Sequence, residues 1–149
     1  MSQGGTFRPA EILLVEDNPG DARLILEVTR DSKSTSRIHH VTDGVDAMLF
    51  LRRQGKFAEA PVPDIVLLDL NLPRKDGREV LAEIKNDDNL QHIPVIALTS
   101  SSSDSDIERC YDLGVNAYLV KPTDFGKFVD VVNAVEKFWL HVVTLPGNH

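Results

Sequence analysis

A chain of 149 residues with 42% apolar and 26% charged residues is sized for one globular domain with a full core. Its formal net charge of −7 excludes the basic footprint that non-specific nucleic-acid or anionic-membrane binding requires. One cysteine, Cys110, excludes an internal disulfide and a multi-cysteine metal site. With no bilayer-length apolar stretch and no signal-peptide core, a cytoplasmic protein is expected.

Residues 1–9 are polar and glycine-containing and read as a flexible arm. Glu11 to Val15 is a short continuous apolar run that ends in two carboxylates, Glu16 and Asp17. Asn18-Pro19-Gly20-Asp21 then supplies capping side chains for a helix over Ala22 to Arg30. A polar loop from Asp31 to Ser36 leads to a strand over Ile38 to Val41, closed by Thr42-Asp43-Gly44. A second helix runs from Val45 to about Gln54, and a proline-containing connection spans Gly55 to Pro63.

Ile65 to Leu68 is the third apolar run. It ends in Asp69, after which Pro73 and Asp76-Gly77 break the strand. A helix from Arg78 or Glu79 to Lys85 follows, then a strand from Pro94 to Thr99. Ser100 to Asp106 is a serine–acid loop that caps a helix carrying Ile107, Cys110 and Tyr111 on one face. The fifth strand, Asn116 to Val120, ends in Lys121-Pro122, and a last helix begins at Thr123 or Asp124 and runs to about His141.

Five short apolar strands alternating with five helices predict an α/β fold, a doubly wound five-stranded parallel sheet. Right-handed crossovers favour the flavodoxin-like strand order 2-1-3-4-5. Strands one and three are then neighbours at the switch point, so Glu16, Asp17 and Asp69 crowd together at the ligand-binding edge. Charges that close repel unless a cation relieves them. A hard divalent ion, Mg²⁺ or Mn²⁺, suits an all-oxygen set. Lys121 adds a complementary positive charge and Thr99 a hydroxyl donor. The whole resembles a phosphoryl-transfer site, where positioning and charge neutralisation carry the catalysis.

Glu16-Asp17, Asp69 with Leu72-Pro73 and Asp76-Gly77, Thr99, and Lys121-Pro122 together resemble the receiver domain of two-component response regulators. The likeness covers Glu11 to about Trp139. It implies a single receiver domain over residues 10–142 with a tail at 143–149. It further implies that Asp69 accepts a phosphoryl group, and that the metal is held by Glu16, Asp17, Asp69 and the backbone carbonyl of Asn71. Lys121 would then pair with the phosphoryl oxygens, while Thr99 and Tyr118 act as the switch. Lys121-Pro122 matches a cis peptide in that family. The resemblance extends to stand-alone response regulators of cyanobacterial phytochromes, which implies a light-sensing sensor histidine kinase as partner. Such a protein is not an enzyme beyond its own aspartyl phosphorylation and dephosphorylation. With no output domain in the sequence, the signal would pass by contact with a downstream protein.

Two other classes compete with this one. An Asp-nucleophile phosphatase of the haloacid-dehalogenase type resembles Asp-x-Asp, but the second position here is Asn71 and no cap domain is present. A phosphorylation-independent interaction module would lose the acceptor, an acid or the lysine, and all three are kept. Ser101, two residues past Thr99, is short, which predicts a longer-lived phosphoryl group than a reaching side chain there would allow. The five histidines, His39-His40 among them, read as surface residues.

On the last helix Asp130, Asn133, Lys137 and His141 form a narrow polar stripe, and apolar residues fill the remaining circumference. Either the tail folds back over that excess or a partner covers it. The reading adopted is a homodimer with Phe128, Val132 and Trp139 in its interface.

Overall fold

The computed structural model describes residues 9–31 and 36–137. Its strands are β1 (Glu11–Val15), β2 (Arg37–Val41), β3 (Ile65–Leu68), β4 (Val95–Thr99) and β5 (Ala117–Val120). The helices that alternate with them are α1 (Pro19–Asp31), α2 (Gly44–Arg52), α3 (Gly77–Asn86), α4 (Asp104–Asp112) and α5 (Phe125–Lys137), with a 3₁₀ turn at Gly55–Phe57. All pairings are parallel and the strand order is β2-β1-β3-β4-β5. This is the flavodoxin-like order expected from the alternation of elements.

Successive strand residues point to opposite faces, and both faces are covered. Leu13, Val15, Val66, Leu68, Val95 and Ala97 share one core with Met48 and Phe50 of α2, Val80, Leu81 and Ile84 of α3, and Cys110 of α4. Ile12, Leu14, Ile65, Leu67, Ile96 and Leu98 share the other with Ala22 and Ile25 of α1 and Phe128 and Val132 of α5. Two-sided burial is why the strands read as unbroken apolar runs rather than alternating ones.

Helix starts are set by side-chain caps. Asn18 accepts from the Asp21 amide at 2.9 Å, so α1 begins at Pro19, three residues before the first apolar position. Asp43 accepts from the Asp46 amide at 2.7 Å, and Asp76 with Glu79 forms a capping box on α3. Ser103 accepts from the Asp106 amide at 3.1 Å.

The last helix corrects one expectation. Phe128 and Val132 are 5% and 3% exposed and lie in the core beneath α5, with Val131 and Val135 packed partly against it. Their side chains are therefore taken up inside the domain, and these two residues are not exposed interface positions. Helix α5 covers the sheet and also packs on α1, which requires a wider apolar face than one stripe. Trp139, the end of the expected helix, the 143–149 tail and most of the 1–9 arm lie outside the described residues. No helix among the described residues is long and apolar enough to cross a membrane.

Two glycines are required by close approach. A Cβ on Gly77 would sit 2.2 Å from the Asp69 carbonyl oxygen, and one on Gly44 would sit 2.0 Å from that of Lys75. The first contact lets α3 start directly against the end of β3; the second seats the start of α2 on the β3–α3 loop. Gly77→Ala should therefore lower stability in urea unfolding by about 1–3 kcal/mol. Gly20→Ala, whose Cβ meets nothing closer than 3.4 Å, should cost nothing. Equal losses at the two positions would show that the Gly77 approach is not constraining.

Candidate functional site

The sheet register assembles the site. Val15 pairs with Leu68, so the residues one step further on, Glu16 and Asp69, emerge side by side. The Asp69 amide donates to the Val15 carbonyl at 3.0 Å and the Glu16 amide to that of Val41 at 3.1 Å, which holds both strand ends in place. Glu16 and Asp69 are buried, while Asp17 is exposed. One carboxylate oxygen from each of Glu16, Asp17 and Asp69 lies within 4.8 Å of the others. The Asn71 amide faces Asp69 Oδ1 at 3.3 Å, at the start of the loop that leads to α3.

Lys121 enters from the end of β5. Its backbone amide donates to the Thr99 carbonyl at 2.7 Å, which fixes where the side chain starts. Its Nζ lies 2.6 Å from Glu16 Oε1, 2.9 Å from Asp21 Oδ2 and 3.2 Å from Asp69 Oδ2. Among the described residues there is no cis peptide bond, so the expected cis geometry at Lys121-Pro122 is corrected. The lysine reaches the carboxylates from a trans bond because its amide is anchored on β4.

Burial pushes the Glu16 carboxyl up to about 7; the Lys121 hydrogen bond opposes this and the charge of Asp69 adds to it. Burial works against the Lys121 charge, yet hydrogen bonds to Asp21 and Glu16 outweigh it and hold the ammonium above its ordinary range. The cluster thus carries more negative groups than its lysine balances. Its donors are hard oxygens, one of them exposed, a set that suits a divalent cation with room for further oxygen ligands.

Thr99 is fully buried, and the Ser101 amide faces its Oγ1 at 3.4 Å. Tyr118 pairs in register with Ala97 and donates its hydroxyl to the Ser101 carbonyl at 2.8 Å. Its half-buried ring packs on the core cluster of α2–α4. The structure therefore gathers Glu16, Asp17, Asp69, Asn71, Thr99 and Lys121 at one edge, with Tyr118 joined to it through Ser101.

Other features escaped the sequence. Asp21 reads there as part of a turn, yet its side chain reaches a lysine 100 positions away. Its place in the first turn of α1, which follows directly on Glu16-Asp17, was the available signal. Arg74 adopts a left-handed backbone (φ 67°) and donates to Asp43 Oδ2 at 3.1 Å, which clamps the β3–α3 loop to α2. His39 and His40 lie at the surface as expected, each with a polar partner. His39 Nε2 lies 2.8 Å from Glu11 Oε1, and His40 Nε2 lies 2.8 Å from the Glu16 carbonyl oxygen, so both are tied to β1.

A family model described as the response regulator receiver domain matches residues 12–133. The response regulator Rcp1 of Synechocystis sp. is 47% identical over 139 residues, covering 93% of this chain and 95% of its own length. The solved Mn²⁺-bound form of Rcp1 is similar at a TM-score of 0.91 and 47% identity, over 93% of this chain and 100% of that one. The structure of a phosphorylated cyanobacterial phytochrome response regulator, RcpA, is similar at the same TM-score and identity, over 94% of this chain and 100% of that one.

A cation bound here takes the ionised form of Glu16. Mg²⁺ affinity measured by calorimetry should therefore rise as pH climbs through about 7. Asp17→Ala should weaken binding about tenfold or more, and the exposed Glu59→Ala should leave it unchanged. Equal effects of the two substitutions would remove the cluster as the binding site.

Proposed function

Because the chain belongs to the response regulator receiver domain family, we propose that it accepts a phosphoryl group on Asp69 from a sensor histidine kinase. The observation that carries this reading is the convergence of two other strand ends on Asp69. Glu16 and Asp17 come from β1, and Lys121 from β5 stands 3.2 Å from the Asp69 carboxylate.

An Asp69 oxygen attacks the phosphorus, and the bond to the donor nitrogen breaks with its electron pair staying on the imidazole. Glu16, Asp17, Asp69 and the Asn71 carbonyl are the groups that would hold Mg²⁺ or Mn²⁺. When bound, the cation screens the carboxylates from the incoming phosphoryl oxygens. Lys121 supplies fixed positive charge beside Asp69, already desolvated and oriented by Glu16 and Asp21. On this reading the Thr99 hydroxyl donates to a phosphoryl oxygen. Its displacement would be felt at Ser101, whose carbonyl holds Tyr118. On this reading the chain catalyses only its own phosphorylation and dephosphorylation.

The likeness to cyanobacterial phytochrome response regulators supports a light-sensing kinase as the donor and the cytoplasm as the place of action. The signal would leave by protein contact over α4, β5 and the start of α5, where Tyr111, Val120 and Phe125 are exposed. Of a set of purified kinases, a light-sensing one should transfer fastest; a faster non-photosensory donor would reject that partner.

Acetyl phosphate with Mg²⁺ should give a base-labile modification on the wild-type chain and none on Asp69→Asn. The substitution removes one of several crowded negative charges, so the variant should fold normally. Incorporation by Asp69→Asn at the wild-type rate would refute the assignment.

A further inference from the structure

A lysine ammonium has three donors, and Lys121 has a carboxylate for each of them. Nζ lies 2.6 Å from Glu16 Oε1, 2.9 Å from Asp21 Oδ2 and 3.2 Å from Asp69 Oδ2, and the lysine side chain is only 8% exposed. The second Glu16 oxygen accepts from the Asn18 amide at 3.1 Å, so that carboxylate is shared between the lysine and the start of α1. Asp21 stands in the first turn of α1, where its amide donates to Asn18 Oδ1 at 2.9 Å. Its carboxylate is thus carried on an anchored turn.

The oxygens that suit a cation come from Glu16, Asp17 and Asp69. The lysine's partners and the cation's ligands therefore overlap in Glu16 and Asp69 and differ in one member each. Asp17 belongs to the cation's set. Asp21, among the described residues, is the carboxylate on Lys121 that lies outside it. The overlap creates a conflict. Sharing Glu16 and Asp69 with a divalent cation takes oxygens from the ammonium and sets a like charge beside it. A lysine on its flexible four-carbon stem answers by swinging out to water, where its hydration is recovered. The bond from Nζ to Asp21 opposes that movement, because it does not compete with the cation.

We propose that Asp21 is a positioning residue that keeps the Lys121 ammonium beside Asp69 when Glu16 and Asp69 are shared with a divalent cation, so that both positive charges meet the same phosphoryl group. The inference rests on Asp69 being the acceptor. It gives the first turn of α1 a part in the transfer, exerted through Lys121.

Two measurements test this, and the first needs no phosphate. Each protein receives a limited dose of the N-hydroxysuccinimide ester of acetic acid, and acetylation of Lys121 is read by peptide mass spectrometry. The amine attacks the ester carbonyl, and N-hydroxysuccinimide leaves with the electron pair. Saturating Mg²⁺ should change labelling of Lys121 less than about twofold in the wild type, but raise it about fivefold or more in Asp21→Asn. An equal response of the two proteins to Mg²⁺ overturns the proposal.

The second is uptake from acetyl phosphate at saturating Mg²⁺, in which phosphorus bonds to an Asp69 oxygen and acetate leaves with its electron pair. Asp21→Asn should slow uptake about fivefold or more where Lys121 is present, and less than about 1.5-fold in a Lys121→Met background. Asp21→Glu keeps a carboxylate within reach and should restore most of the lost rate. Equal slowing in both backgrounds, or none in either, overturns the proposal. In calorimetry Asp21→Asn should weaken Mg²⁺ binding less than Asp17→Ala does; an equal or greater loss would make Asp21 a cation ligand and overturn it as well. Should Lys121→Met fail to fold, the labelling contrast decides alone. A wild-type chain that takes up no phosphoryl group overturns the acceptor reading, while the labelling contrast still decides whether Asp21 holds the lysine.

Discussion

Lys121 and the carboxylates of Glu16, Asp21 and Asp69 form the arrangement around which the carboxyl edge of the sheet is built. Taking these charges out of water is costly, and it is tolerated because the groups answer one another across elements far apart in sequence. The apolar layers on either side hold the strands in a register that admits no slip. A shift of one residue would turn Glu16 or Asp69 into the core and bring an aliphatic side chain to the edge. Core packing and site geometry are therefore one constraint: the side chains that exclude water from the sheet also fix the distances between the charges.

What could be read from the sequence is what depends on local pattern. Apolar runs closed by Glu16-Asp17, Asp69, Thr99 and Lys121 mark strand ends whatever the tertiary detail, so the strand order and the gathering of those residues were accessible. Helix starts were displaced by up to three residues, because Asn18 and Asp43 cap from outside the apolar period. Long-range polar pairs left no periodic trace. Nothing in the spacing of Asp21 and Lys121, or of Arg78 and Asp106, marks them as partners; they meet only because the sheet order brings their elements together. The same holds for His40, whose partner is a backbone carbonyl.

Helix α5 shows how an amphipathic count misleads. Its apolar arc is wider than one stripe, which on a surface helix signals a partner. The arc is wide because the helix has two neighbours inside its own domain, the sheet and α1. Phe128 and Val132 serve the first of these directions, so among the described residues that part of the arc belongs to the interior. Exposed apolar residues lie instead at the margins of the elements, on Val120 at the end of β5 and Phe125 at the start of α5.

The two glycine approaches have a consequence for how the chain can vary in length. The segment from Leu70 to Gly77 is pinned at one end by backbone contact with Asp69 and in the middle by the Lys75 carbonyl against Gly44. Arg74 is held in a left-handed conformation between these points. An inserted or deleted residue there would have to move a strand end or a helix start. The connection after α2 is anchored by side chains rather than by backbone contact, with Ala60 buried, Phe57 packed on the core and Val62 exposed. A change in chain length is thus resisted in the loop beside Asp69, which the two close approaches hold to one fixed span.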